Sequence, residues 1–286
     1  MNEASAWRRD LGRQIGRAYA ANPNVAAVMI AGSTGRGTAD RYSDLELDIY
    51  WHAPPTEAER RAAATAAGGT AIALAEDPDE WEEQMDLGGF HAATSAFLVR
   101  TMERYLHTVL DDYSTDPTAQ MRLYSVLHAQ PLTGGDLIAG WQARAAAYPP
   151  PLAEAMLREN LEFDGFGYAE EMFAARDDVL VLYDIFCRIG RQILGALLGL
   201  NGIYLPNPTF KSMNELIDEM RVTPPDLAAR LRGAFRVPPL DGVRELHRLC
   251  AEVFTLVELH VPTLDLAPYR ARLARRRGAW DAPPPL

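Results

Sequence analysis

Lysine, cysteine and long apolar runs are all scarce in this chain of 286 residues. Of its 28 Lys and Arg residues, all but Lys211 are arginine. Because general nucleic-acid binding depends on clustered Lys and Arg, a net charge of −11 argues against it. The charge suits a small or cationic substrate better, and nucleic acid is an unlikely partner.

The two cysteines, Cys187 and Cys250, lie in apolar helix-like stretches, and we expect both to be reduced core residues of a cytoplasmic protein. The first 19 residues, MNEASAWRRDLGRQIGRAY, lack the apolar region of a secretory signal. The longest apolar segment, 189–205, is interrupted by Arg191 and Gln192. It is too short and too polar for a bilayer span, so we predict a buried helix and no membrane association.

Two patterns divide the chain, and together they predict an α+β fold. The first runs to about residue 117: a helix at 3–20, strands at 25–31 and 45–51, a helix at 57–67 capped by Thr56 and Glu59, and a hairpin about Gly88-Gly89. We predict a mixed sheet there. From 118 to 286 the patterns are almost all helical, at 118–127, 136–147, 151–175, 177–200, 212–221, 226–235, 241–260 and 267–276.

The most informative stretch is 25–51, VAAVMIAGSTGRGTADRYSDLELDIYW. In a strand, residues two apart point to the same face, so Asp44, Glu46 and Asp48 are predicted to share one face. Three neighbouring carboxylates repel one another, and a hard divalent cation such as Mg²⁺ or Mn²⁺ would remove that repulsion. The alternative is an edge strand with a solvated acidic face.

The turn before these acids favours the metal-site interpretation. Gly32-Ser33 follows a buried apolar strand, where glycine allows a phosphate to approach the backbone and the Ser33 hydroxyl and nearby N–H groups can hold a triphosphate. The loop GSTGRGTAD lacks the Gly-Lys-Ser/Thr ending of a Walker A motif. Its glycines also lack the spacing of a dinucleotide-binding fingerprint.

Gly32-Ser33 followed by Ser43-Asp44-Leu45-Glu46 resembles the signature of the DNA polymerase β-like nucleotidyltransferase superfamily. The form Tyr-Ser-Asp-Leu-Glu is most similar to the kanamycin and lincosamide nucleotidyltransferases. The resemblance implies a nucleotidyltransferase domain at 1–117 and a helical substrate-binding domain at 118–286. It implies catalysis with Mg²⁺ or Mn²⁺ and with ATP or another NTP as co-substrate. The predicted metal ligands are Asp44, Glu46 and Asp48, and the predicted nucleotide contacts are Gly32, Ser33, Arg36 and Ser43.

The chain departs from the family pattern at the third acid, which usually lies on a later strand. The matching stretch, 90–99 (FHAATSAFLV), has no Asp or Glu, and the equivalent position falls near Thr94. His91 is its only ionisable side chain. Either Asp48 or Asp86 compensates, or the second metal is held weakly, or catalysis has been lost.

The helical half is predicted to supply the general base and a phosphate contact. The segment around Glu170 and Glu171 weakly resembles the base-bearing segment of the kanamycin enzyme, and an acid there could take a proton from a substrate hydroxyl. Otherwise both are solvated helix residues. The sole lysine, Lys211, is a candidate phosphate partner or an ordinary surface lysine.

We therefore expect an enzyme that transfers a nucleoside monophosphate, AMP from ATP foremost, to a hydroxyl of a small molecule such as an aminoglycoside or lincosamide antibiotic. Pyrophosphate would be released. The alternatives are a toxin-like or regulatory enzyme acting on tRNA or protein, and a nucleotide-binding protein with a decayed site. The sequence leaves open whether the protein is a monomer or a homodimer.

Overall fold

The computed structural model describes residues 2–77, 79–279 and 281, which form two compact units, Met1–Ala147 and Tyr148–Leu286. Within the described residues, no helix combines the length and apolar character that a membrane span requires.

The first unit is a six-stranded sheet with helices on both faces. Its strands follow the spatial order β3-β4-β5-β2-β1-β6. In chain order its elements are α1 Glu3–Ala20, β1 Val25–Ile30, α2 Gly32–Arg36, β2 Leu45–Trp51, α3 Glu57–Ala66, β3 Thr70–Asp77, β4 Glu80–Asp86, β5 His91–Leu98, α4 Val99–Leu110, α5 Pro117–His128, β6 Gln130–Thr133 and α6 Gly135–Ala145.

The sheet is mixed, as the sequence predicted. All neighbouring strands are antiparallel except β2 and β5, which run parallel with Leu47 opposite Thr94. The strand β2 has the predicted bounds, and the capping box of Thr56 and Glu59 is present at the start of α3.

One face of the sheet packs on α1 and α3, and the apolar residues of β2 fill that core. Leu45, Leu47, Ile49 and Trp51 are all buried there. On the opposite face the aromatic ring of Tyr50 contacts Trp141 of α6, with ring centroids 4.7 Å apart. The two faces of β2 therefore belong to two different layers of helices.

The first unit extends beyond the boundary that the sequence placed at 117/118. The strand β6 pairs with β1, with Val28 opposite Thr133, and α5 packs on α4 and α6. No alternation in the sequence predicts β6, which is only four residues long and contains Pro131. The sequence patterns also did not predict α2, which is only five residues long.

The second unit is helical. In chain order its elements are α7 Pro150–Asn160, α8 Ala169–Met172, a 3₁₀ turn at Ala174–Arg176, α9 Val179–Asn201, α10 Met213–Glu219, α11 Leu227–Ala234, α12 Pro239–His260 and α13 Ala267–Leu273. The predicted helix at 151–175 is wrong: it breaks after Asn160, where Phe163 and Gly165 adopt positive φ. The long helix α9 packs on α7 and α12.

The prediction for the cysteines is half correct. Cys250 is buried in α12, and burial raises the pKa of its thiol well above the usual value. Cys187 is exposed on α9 and is not a core residue. Its stretch is apolar in sequence, but its position on the helix turns it away from α7 and α12.

Candidate active site

The glycine turn and the first acidic strand position meet at one end of the β1–β2 pair. The backbone N–H of Ala31 donates to the carbonyl of Glu46 at 3.0 Å. Gly32 has φ +58°, and a Cβ built on it would overlap the carboxylate of Glu46. Glycine is therefore required here twice, for the left-handed backbone and for the close approach of Glu46.

Helix α1 fastens the loop that joins this turn to β2. The guanidinium of Arg9 donates to the carbonyls of Thr34 and Gly35, at 3.2 and 2.9 Å, near the end of α2. Arg8, which is buried, donates to the carbonyl of Ser43 through Nε and Nη2, at 3.1 and 2.6 Å. These contacts hold both ends of the loop and leave the Ser33 side chain partly exposed.

Ser43 is predicted to contact nucleotide, and in the structure its hydroxyl is engaged within the loop. It accepts from the backbone N–H of Asp40 and donates to the Asp40 carboxylate, each at 3.0 Å. Hydrogen bonds from the Tyr42 backbone and from Ser43 lower the pKa of Asp40. The arrangement is a turn that delivers the next residue, Asp44, to the surface.

Asp44 and Glu46 are exposed carboxylates at alternate positions beside the glycine turn. Mg²⁺ is commonly held by one or two carboxylates, with water and substrate phosphates completing its shell. The two donors fit that requirement for a nucleotide-bound ion. Within the described part of the chain, no group of three or more His, Cys, Asp or Glu side chains is placed to hold a metal ion.

Asp48 lies in a different environment from Asp44 and Glu46. It is buried, and the Ser125 hydroxyl of α5 donates to its carboxyl at 3.1 Å. Burial raises its pKa, although Arg122 and the Ser125 hydrogen bond act in the opposite direction. The predicted metal set placed Asp48 with the other two acids because the strand alternation does so. The sequence did not indicate that α5 would cover this position.

The strand β5 shows which positions could carry a third acid. Ala93 is opposite Glu46 and Ser95 is opposite Asp48. Thr94 lies between them and is buried on the core face, where its hydroxyl donates to the buried Glu83 at 3.0 Å. The third-acid position was expected near Thr94; Thr94 itself faces the core, and its neighbours Ala93 and Ser95 are the residues opposite Glu46 and Asp48.

The next strand carries an acid that the sequence analysis missed. Glu82 of β4 is opposite Ser95 and exposed, on the same face of the sheet as Asp48. The alternation of Trp81, Glu83 and Met85 toward the core was the available signal. Asp86 and His91, which the sequence analysis considered for the third-acid position, lie at the hairpin. They are opposite each other, and Asp86 accepts from the Gly89 backbone N–H at 2.8 Å.

Arg36, a predicted nucleotide contact, closes α2. Its guanidinium carbon lies 5.9 Å from the ring centroid of Tyr124 on α5. This is a cation–π contact at the outer limit of such distances.

The remaining predicted residues, Glu170, Glu171 and Lys211, belong to the second unit. Glu170 lies 3.6 Å from Arg244, and Lys211 is exposed just before α10. One carboxylate oxygen of Glu171 is buried and has no hydrogen-bond partner among the described residues.

His247 lies in the same region and was not singled out by the sequence. Its Nε2 is 3.1 Å from the carbonyl of Phe166, on whose ring the imidazole stacks. Burial and the charge of Arg276 lower its pKa, against the hydrogen bond to Phe166 and the charges of Glu170 and Glu171.

No protein-family model and no curated protein matches the chain. A solved structure of a nucleotidyltransferase-like protein from Exiguobacterium sibiricum is similar, with a TM-score of 0.42 and 11% sequence identity. The similarity covers 89% of this chain and 77% of that one. A likeness of this size defines neither a family nor a function.

Proposed function

We propose that the chain is a nucleotidyltransferase that depends on a divalent cation and moves a nucleoside monophosphate, AMP from ATP foremost, to a hydroxyl of a small molecule. The observation that carries the proposal is the contact between the Glu46 carboxylate and the Gly32 turn, with Asp44 exposed two residues earlier. A turn without a side chain and two carboxylates at its edge suit a metal–triphosphate complex.

The residues of the turn have distinct roles in this proposal. Gly32 leaves room for a phosphate oxygen, and the partly exposed Ser33 hydroxyl donates to it. Asp44 and Glu46 would hold Mg²⁺ or Mn²⁺, and the chemistry that this ion would supply is neutralisation of the triphosphate charge for attack on the α-phosphorus. Asp48 stays outside this set because its carboxyl is buried under α5.

The second unit is proposed to supply the acceptor side of the reaction. Glu171, with its unpartnered carboxylate oxygen, is a better candidate for the general base than Glu170, which is paired with Arg244. Lys211 remains the proposed phosphate contact of this unit. The net charge of −11 favours a cationic acceptor, so aminoglycosides and lincosamides are the first compounds to test.

The proposal is tested by incubating the protein with Mg²⁺, each NTP and a panel of these compounds, and by measuring pyrophosphate and the mass of the acceptor. Asp44→Asn and Glu46→Gln should each reduce turnover at least about a hundredfold, because each removes a charge that holds the ion. Asp10→Asn, on the exposed side of α1, is the matched carboxylate control and should keep full activity. Equal turnover in Asp44→Asn and the wild type would refute the proposed site.

A nucleotide-binding protein without turnover is the second candidate. It is favoured by Ala93 and Ser95, which stand opposite Glu46 and Asp48 where a third carboxylate would complete the site. In that case NTP binds, no acceptor is modified, and Asp44→Asn leaves nucleotide affinity unchanged. Labelled NTP added to a cell lysate distinguishes the remaining alternative, since label would then appear in tRNA or protein.

A further inference from the structure

The first turns of α9 expose an unusual amount of apolar surface. Leu180 is 88% exposed, and Val179 and Val181 beside it are also exposed. Phe235 and Val237, which follow α11, add two more exposed apolar side chains, and the ring of Phe235 stacks on Tyr183 of α9. We call this surface, together with the exposed side of α9 as far as Arg191, the α9 face.

Along the α9 face, acidic side chains come first and a basic side chain follows. Asp177, Asp178 and Asp184 lie at or near the N-terminal half of the helix, and Arg191 lies further along; all four are exposed. Neither Asp184 nor Arg191 has a hydrogen-bond or ion-pair partner within the described ranges 2–77, 79–279 and 281. The pair of Asp184 with Arg188 that the spacing allowed is not formed, because Arg188 donates to the carbonyl of Asp164 at 2.7 Å.

We propose that the α9 face binds a second copy of this chain, with the two α9 helices antiparallel about a twofold axis. A twofold interface must be complementary to itself. Antiparallel packing meets that condition here, because it brings the acidic half of each helix to the basic half of the other. It also aligns the two helix dipoles favourably.

The size of the face sets the expected strength of the dimer. From Leu180 to Arg191 the helix extends about 18 Å, at 1.5 Å per residue. Together with Phe235 and Val237 this is enough for a contact at the low end of specific interfaces. We therefore expect a reversible dimer with a dissociation constant of order micromolar. This expectation does not depend on the proposed nucleotidyl transfer.

Association is measured by sedimentation velocity over a concentration series. Leu180→Asp should weaken the dimer at least about tenfold, because it puts a charge into the apolar part of the contact. Leu259→Asp is the matched control, since Leu259 on α12 is 73% exposed and lies outside the α9 face. A wild-type protein that stays monomeric up to about millimolar concentration, or an equal effect of both variants, overturns the proposal.

A charge exchange tests the antiparallel arrangement itself. Asp184→Arg and Arg191→Asp should each weaken the dimer, and the double variant should restore it, because the attraction is then re-formed with reversed signs. Circular dichroism of each variant checks that the fold is kept. If the double variant is no better than the single variants, the arrangement is refuted.

Cys187 provides a chemical test, because it lies on the exposed side of α9 between Asp184 and Arg191. Diamide oxidises two thiols to a disulfide and takes up the two electrons and two protons. Near a twofold axis, Cys187 of each copy should couple and give a covalent dimer, which Cys187→Ser abolishes and Cys250→Ser retains. Failure of the wild type to cross-link at concentrations where it sediments as a dimer overturns the placement of the axis.

Discussion

At the scale of single residues, Gly32→Ala tests the two requirements for glycine at the turn, which are the left-handed backbone and the space taken by the Glu46 carboxylate. The alanine must adopt φ near +58° and its Cβ displaces the Glu46 carboxylate. We expect a modest loss of stability, about 1–2 kcal/mol, and a loss of NTP-dependent activity of at least about a hundredfold. Activity assays and urea denaturation measure the two effects.

Gly88→Ala is the matched control. Gly88 has φ +71°, and a Cβ placed on it meets nothing within 4 Å. It should show the same backbone penalty with no effect on activity. A comparable loss of activity in both variants would mean that the contact between Gly32 and Glu46 has no functional role.

Asp48 should make stability depend on pH. Burial raises its pKa, so the folded protein holds the proton more tightly than the unfolded chain, where the carboxyl titrates near 3.8. The stability contributed by this group is present below that pH and is lost as the pH rises toward the folded-state pKa, by at most about 1.4 kcal/mol per unit.

Asp48→Asn cannot ionise, so its stability relative to wild type should increase as the pH is raised from about 4 to 7, measured by urea denaturation. Asp40→Asn should show a change of the opposite sign at lower pH, below the unfolded-chain value of 3.8, because hydrogen bonds from Tyr42 and Ser43 lower the pKa of Asp40. A relative stability of Asp48→Asn that does not vary with pH would contradict a raised pKa of the buried Asp48.

At the scale of elements, the register of β5 predicts where a third carboxylate is functional. Ala93→Asp places one opposite Glu46, and the Mg²⁺ concentration for half-maximal activity should fall about tenfold. Thr94→Asp puts a charge in the core beside Glu83 and should cost at least about 3 kcal/mol in unfolding free energy. If Ala93→Asp folds normally and the Mg²⁺ dependence of its activity is unchanged, the side chain at position 93 does not face the ion.

The elements also show what the sequence could predict. The bounds of β2 follow from three apolar residues alternating with acids and from the Pro54-Pro55 break, all of which are local. The burial of Asp48 depends on Ser125, 77 residues away in sequence, and no local period encodes that contact. The alignment of β5 with β2 has the same origin, because the register between strands is set by pairing across the sheet.

At the scale of the whole molecule, a fragment of residues 1–147 should fold and a fragment of 1–117 should not. The shorter fragment lacks β6, which pairs with β1, and α6, whose Trp141 covers Tyr50. Dispersed amide NMR spectra and cooperative urea unfolding are expected for the longer fragment only. Cooperative folding of 1–117 would show that α5, β6 and α6 are dispensable for the sheet.

The part of the proposed site that lies within one unit could be predicted from the sequence, and the part that needs the second unit could not. Gly32 and Glu46 are adjacent in the structure because β1, which ends just before Gly32, and β2, which carries Glu46, are consecutive and antiparallel. The proposed base and acceptor contacts lie in a different unit, and no pairing or periodicity in the sequence relates the two units. The reaction type is therefore more strongly supported than the acceptor.

The chain has one lysine, so it has one side-chain amine that can be modified chemically. Lys211 is exposed, so acetylation of side-chain amines is a single-site reaction that peptide mass spectrometry reads directly. The rate of that reaction with and without nucleotide reports on one defined position of the second unit. Protection by NTP, and none by the free nucleoside, would identify Lys211 as a ligand of the phosphates without any substitution in the protein.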